Sequence, residues 1–214
     1  MSRTSLRLLL ADDHAMLRAG LKRLLSEMPE VTHIGEAEDG QGVLDLVRSE
    51  PWDVIVLDLD MPGLSPLDVL KRIKADHPDM AVLILSMYPE ERFALRALKA
   101  GAAGYLNKRS AAQQLITAIR LISDGGTYIS SNLASELARS LTTKPKDTLN
   151  EMLSDREFTV LRAIASGKAA SEIARDLNLS TKTVSTYRMR LMTKLNLHSN
   201  VDLARFAAEH GLVK

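Results

Sequence analysis

Four short segments of the chain end in groups that suit phosphate chemistry. LLLADDH delivers Asp12 and Asp13, VIVLDLDMPG carries Asp58 and Asp60, LILS closes on Ser86 and AGYLNK on Lys108. Clustered carboxylates repel one another in a poorly solvated cleft, so a divalent cation is the simple reason to gather them. An all-oxygen set suits Mg2+, which takes a few carboxylates and carbonyls while keeping water and phosphate ligands. A lysine can neutralise an incoming phosphoryl group, a serine hydroxyl can donate to one of its oxygens, and an activated aspartate can accept it as an acyl phosphate. Taken singly, each residue has an ordinary structural use, the DD pair above all as a cap or a solvated loop. Taken together they fit phosphate-and-metal chemistry as readily as structure. The lack of a P-loop pattern speaks against a nucleoside triphosphatase.

A second set lies in TKTVSTYRMRLMTKL, residues 181–195. No acidic residue stands between Asp176 and Asp202, whereas Lys182, Arg188, Arg190 and Lys194 all do. At about 3.6 residues per turn, Val184, Tyr187, Leu191 and Leu195 form an inward stripe, with Lys182, Ser185, Thr186, Met189 and Thr193 pointing elsewhere. An outer face of this kind fits the DNA major groove. Ser185 and Thr186 can hydrogen-bond, Lys182 can reach phosphate or guanine, and Met189 can pack near a thymine methyl. Arg188, Arg190 and Lys194, at the helix borders, suit backbone phosphates. A solvated basic helix in a small bundle satisfies the same periodicity, and Tyr187 suits a packed core edge better than a base stack.

The phosphate set needs a scaffold that brings distant segments to one crevice. Strands are expected at 6–11, 31–37, 53–58, 80–86 and 103–106, alternating with helices near 15–27, 40–49, 66–75, 90–99 and 111–122. DVIVLD and AVLIL lack polar alternation, as expected of parallel strands covered on both faces. The repeated pattern predicts a doubly wound, five-stranded parallel α/β sheet, in which ligands bind at the C-terminal strand ends. Asp58 and Asp60 would share a strand face only if the strand ran through both. Met61, Pro62 and Gly63 argue that it does not. Pro66 fits a first helical position, where its missing N–H breaks no helix bond.

From 153 onward the rhythm is entirely helical. Ser154 and Glu157 in SDRE form a capping box, and helices are expected over 158–166, 169–177, 181–195 and 199–210. Between the halves, Gly125 and Gly126 end a helix, TTKPKD reads as a connector, and 131–140 has room for a short helical segment. The boundaries drawn are 1–124, a linker over 125–149, and 150–214. With 214 residues, 45% hydrophobic content and 26% charge, the chain suits two small soluble domains. Its net charge of +1 conceals an asymmetry. Residues 1–125 hold 15 Lys/Arg against 18 Asp/Glu, and residues 150–214 hold 10 against 7. The absence of cysteine excludes disulfides and thiolate sites. Asp12 and Asp13 cut the first apolar run too short for a signal core or a membrane span.

LLLADDH, VIVLDLDMPG, LILS and AAGYLNK, in that order, make residues 6–122 resemble the receiver domain of bacterial response regulators. LSDREFTVLRAIASGKAASEIARDLNLSTKTVSTYRMRLMTKLNLHS makes residues 153–210 resemble the four-helix LuxR-type helix-turn-helix domain of the NarL/FixJ family. YRMR in particular resembles the GacA, UvrY and BvgA-like subgroup. Two departures stand out in the helix: Ser185 occupies a position where lysine is frequent, and Tyr187 one where histidine is frequent. Pro66 departs from the glycine commonly found there.

The resemblance implies that Asp58 is the phosphoacceptor. Asp12, Asp13 and Asp58 would hold Mg2+ together with the backbone carbonyl of Asp60, whose side chain stays uncommitted. Ser86 orients or senses the phosphoryl group, Lys108 pairs with it, and Tyr105 is the switch aromatic; a strand aromatic is its plainer reading. The communication surface would run over MYPEERFALRALKAG and the face around Tyr105. Residues 170–177 become the scaffold helix and about 181–195 the recognition helix, with Ser185, Thr186 and Met189 nearest the groove-reading positions. The implied partners are a sensor histidine kinase, double-stranded promoter DNA and a second copy of the chain on phosphorylation. RNA polymerase has room as a further partner, no membrane insertion is implied, and the location is cytoplasmic. Acyl-phosphate hydrolysis would reset the switch without making the protein primarily a catalyst. Three other readings compete: a relay module that no longer binds DNA, a Mg2+-dependent phosphohydrolase, and a phosphorylation-independent regulator.

Overall fold

The structure, a computed structural model, describes residues 5–88, 90–109, 112–135 and 152–213, and of residues 91 and 92 the backbone alone. The chain divides into two compact units, Met1–Leu137 and Ala138–Lys214.

In the first unit five strands, β1 (Leu6–Ala11), β2 (Val31–Ala37), β3 (Val54–Asp58), β4 (Ala81–Ser86) and β5 (Gly104–Asn107), alternate with five helices. These are α1 (Ala15–Ser26), α2 (Gly40–Ser49), α3 (Pro66–Asp76), α4 (Glu90–Lys99) and α5 (Ala112–Ser123). All strand pairs are parallel, in the order β2-β1-β3-β4-β5. The doubly wound sheet read from the aliphatic runs is therefore present. β3 is buried along its whole length, because helices cover both of its faces. Leu8, Leu10, Val54, Val56, Leu83, Leu85 and Leu106 pack with Leu25 and Met28 near α1 and with Leu115, Ala118, Ile119 and Ile122 of α5. Alternation turns Leu9, Ile55, Leu57, Ile84 and Tyr105, all buried, to the opposite face.

Register places the chemistry. Ala11 pairs with Leu57, Asp58 with Leu85, and Ser86 with Asn107. The residues just past these pairs, Asp12, Ser86 and Lys108, therefore gather beside Asp58 at the C-terminal edge of the sheet. β3 stops at Asp58, and the chain turns through Gly63 at φ +83°, a left-handed conformation that glycine adopts without steric cost. Ser65 stands at the N-cap of α3 with proline just inside, the placement expected for Pro66.

The start of the expected linker stays with the first unit. Tyr128 N–H donates to Ala103 O at 2.8 Å, Tyr128 bridges to Gly104, and Leu133 is buried. The rest of that stretch, 136–149, lies outside the described residues.

The second unit contains α6 (Asp155–Ala165), α7 (Ala170–Asp176), α8 (Thr181–Leu195) and α9 (Asn200–Glu209). The capping box at its start is made as read: Ser154 Oγ accepts from Glu157 N–H at 3.3 Å, and Glu157 Oε2 accepts from Ser154 N–H at 2.8 Å. Ser180 caps α8 through Thr183 N–H, and Ser199 caps α9 through Asp202 N–H. Caps of this kind each contribute about 1 kcal/mol. Phe158, Leu161, Ile173, Val184, Leu191 and Leu203 fill the small core.

Candidate functional site

Asp12, 3% exposed, and Asp58, 2% exposed, are buried carboxylates at adjacent strand ends. Lys108 lies between them, its Nζ 2.5 Å from Asp12 Oδ2 and 2.9 Å from Asp58 Oδ2. Burial pushes the Asp58 carboxyl above its usual range, and the bond and charge of Lys108 pull back only part of that rise. Burial would lower the Lys108 ammonium, but its bonds to Asp12 and Asp58 outweigh it and hold the group above its ordinary value. An ammonium thus compensates two carboxylates, which leaves uncancelled negative charge in the crevice. Ser86 is fully buried, and its Oγ accepts from Tyr88 N–H at 3.2 Å. Lys108 N–H donates to Ser86 O at 2.8 Å, tying the two strand ends together.

Asp13 is exposed beside them. Ligand atoms of Asp12, Asp13, His14 and Asp58 all fall within 4.8 Å of one another. Such an oxygen-rich set carrying excess negative charge fits a divalent cation. His14 was not singled out from the sequence, although it ends the quoted LLLADDH. Its Nδ1 lies 2.7 Å from Asp13 Oδ1 and 3.1 Å from Asp12 Oδ1.

Asp60 differs from its expected state. Its side chain is committed, since Oδ1 accepts from the Tyr88 hydroxyl at 3.0 Å. The correction has a tertiary cause: the partner lies in the β4–α4 loop, 28 residues away. Tyr105 is fully buried, and its hydroxyl donates to Tyr88 O at 3.0 Å. Asn107, which sequence reasoning passed over, donates Nδ2 to the same carbonyl at 2.9 Å.

In the second unit, α8 presents Lys182, Ser185, Thr186, Met189 and Arg190 to solvent, with Met189 67% exposed. Ser185 and Thr186 donate their hydroxyls back to Thr181 O and Lys182 O, both at 3.0 Å. Their lone pairs remain on the outer face as acceptors. Val184 and Leu191 of the inward stripe are buried, while Tyr187 and Leu195 are half-buried. Arg190 lies over the Tyr187 ring, 5.9 Å from its centroid, which matches the core-edge role read for Tyr187.

The border cations are not equivalent. Arg188 Nε donates to Asn200 Oδ1 at 2.5 Å. Lys194 Nζ lies 2.7 Å from Glu157 Oε2 and 3.2 Å from Met152 O. Burial would raise the Glu157 carboxyl, but its bonds to Lys194 and Ser154 hold it below the usual carboxylate range. Lys194 therefore has an intradomain role that helical periodicity does not reveal.

The response regulator receiver domain family matches residues 8–120, and the family of bacterial regulatory proteins of the luxR type matches residues 151–207. The chain is 37% identical over 206 residues to the response regulator UvrY of Escherichia coli K12, covering 95% of this chain and 94% of UvrY. It is 35% identical over 209 residues to the response regulator GacA of Pseudomonas aeruginosa, covering 97% and 98%. Among solved structures it is similar to RcsB of Salmonella enterica serovar Typhimurium bound to promoter P1flhDC in the presence of phosphomimetic BeF3−. That match has TM-score 0.74 and 25% identity, and covers 96% of this chain and 99% of the other.

Proposed function

The chain belongs to the response regulators that join a receiver domain to a LuxR-type helix-turn-helix domain, and we propose that it is a transcription regulator switched by phosphorylation of Asp58. The observation that carries this reading is the Asp12–Lys108–Asp58 constellation, in which a buried nucleophilic carboxylate meets a buried ammonium. A carboxylate oxygen of Asp58 attacks the phosphorus of a phosphohistidine on a sensor kinase. The new O–P bond forms as the P–N bond breaks, and the imidazole leaves. Lys108, already held at the carboxylates, neutralises phosphoryl charge, and the Ser86 hydroxyl orients a phosphoryl oxygen. Asp12, Asp13 and Asp58 would hold Mg2+ by their side chains and Asp60 by its backbone carbonyl. Bound there, the cation supplies positive charge that offsets the carboxylates and the incoming phosphate.

Output then passes through α8. Lys182, Ser185, Thr186 and Met189 face the bases, while Arg188 and Arg190 sit on phosphates. Lys194 mainly fixes the end of that helix through Glu157. Two copies of the chain on paired half-sites would set two recognition helices in successive major grooves. RcsB bound to promoter DNA with a phosphomimetic supports this use of the architecture. Within this reading residues 1–124 receive the signal, 125–149 connect, with its first part packed on the receiver, and 150–214 bind DNA, with RNA polymerase as a further partner at the promoter. The location is cytoplasmic, where promoter DNA is met. No helix among the described residues is long and apolar enough to cross a membrane.

The test is phosphotransfer from a sensor kinase or an acyl-phosphate donor, followed by genome-wide DNA capture and size measurement. Wild type should gain label, dimerise and capture promoter fragments. Phosphorylation that changes neither association nor DNA affinity would falsify the switch.

A further inference from the structure

Tyr88 is the point at which three of the four strand ends around the crevice meet. Its N–H donates to Ser86 Oγ at 3.2 Å, at the end of β4. Its carbonyl accepts from Tyr105 Oη at 3.0 Å and from Asn107 Nδ2 at 2.9 Å, both on β5. Its hydroxyl donates to Asp60 Oδ1 at 3.0 Å, just beyond β3. Tyr88 is 9% exposed, and its ring stacks on Phe93 with centroids 4.7 Å apart.

These contacts divide into two sets. The carbonyl and N–H contacts would survive a change of side chain, whereas the Asp60 contact depends on the phenol alone. Asp60 lies in a short loop that turns at Gly63. A half-buried hydrogen bond on its side chain restricts how its peptide group can rotate. Fixing a ligand's orientation before the cation arrives reduces the ordering cost of binding, and loss of such outer contacts typically costs about 10- to 100-fold in metal affinity.

We propose that Tyr88 is a positioning residue for the cation site, setting divalent-cation affinity by holding the Asp60 loop through its hydroxyl. This rests on the reading that the carboxylate crevice binds Mg2+ with the Asp60 carbonyl among its ligands. Tyr88 thereby links the cation loop to Tyr105, whose hydroxyl its carbonyl anchors.

Calorimetric titration of Mg2+ into the full-length, unphosphorylated protein tests the proposal, using wild type, Tyr88→Phe, Asp60→Ala and the double variant. Tyr88→Phe keeps the ring, the Phe93 stack and the backbone contacts. It should weaken Mg2+ binding by about 10-fold while lowering the melting temperature in chelator by no more than about 4 °C, the scale of one lost hydrogen bond. The double variant should bind no more weakly than the weaker single variant, since both remove the same bond. Wild-type affinity in Tyr88→Phe, or additive losses in the double variant, overturns the proposal and leaves the phosphoacceptor reading standing. A wild type that takes up no Mg2+ overturns both.

Discussion

The two chemical surfaces of this chain manage charge in opposite ways. In the receiver, Asp12, Asp58 and the Lys108 ammonium are nearly removed from solvent and are compensated by one another at 2.5 and 2.9 Å. On α8, Lys182 and Arg190 are exposed and have no acidic partner among the described residues. Buried charge responds to protonation, cations and covalent phosphate, because desolvation makes each uncancelled charge costly. Exposed charge responds to salt, because its partner is a polyanion surrounded by counterions. In the proposed switch, the first unit registers a local chemical event and the second meets a long charged ligand.

The largest effect that sharpens this contrast is on DNA binding. With Arg188 and Arg190 from each of two copies on phosphates, affinity should fall about a hundred-fold between roughly 50 and 200 mM salt. Fluorescence anisotropy on a promoter fragment measures it, and a flat salt response would contradict an electrostatic DNA-binding face on α8. Within the receiver, Lys108→Met strands two buried carboxylates and should cost roughly 3 kcal/mol in cation-free denaturation, the usual scale for removing one partner of a buried pair.

A smaller effect separates the two buried acids by the sign of their pH dependence. Glu157 titrates below its unfolded value, so its stabilisation is complete above about pH 5 and is lost as pH falls through the depressed folded value. Glu157→Gln should cost about 1–2 kcal/mol at pH 7 and abolish that acid-side slope. Asp58 has the opposite sign. Its folded value is raised, so the cation-free receiver loses stability as pH rises from about 4 toward that value, and Asp58→Asn removes the loss. Denaturation across pH in chelator checks both slopes.

The smallest effect distinguishes the cations of α8 from one another. Arg190→Gln removes one phosphate contact from each of two copies, and should weaken DNA binding by about 1 kcal/mol per copy and lower the salt slope by roughly two. Lys194→Gln should leave the slope alone and reduce stability, because its ammonium serves Glu157 at 2.7 Å.

What sequence could and could not disclose follows the same division. Asp12, Asp58, Ser86 and Lys108 were legible because aliphatic runs mark the strands and each polar residue falls at a strand's C-terminal end, where register gathers them. The capping box of Ser154 and Glu157 was legible because both partners lie within one helical turn. The Tyr88–Asp60 bond and the Lys194–Glu157 pair were not, since their partners are 28 and 37 residues apart. Neither periodicity nor spacing encodes such contacts. His14 was open to view beside the DD pair, but nothing in an isolated tripeptide says that its ring folds back on both carboxylates.

In the proposed switch, phosphate on Asp58 changes how α8 meets DNA. Anisotropy titration of a promoter fragment with wild type and Asp58→Ala, each with and without an acyl-phosphate donor and Mg2+, addresses it directly. Wild type should bind at least about tenfold more tightly with the donor, a coupling of about 1.4 kcal/mol, while Asp58→Ala stays at the unphosphorylated affinity under both conditions. An equal gain in Asp58→Ala, or none in a wild type shown to carry the label, would contradict it.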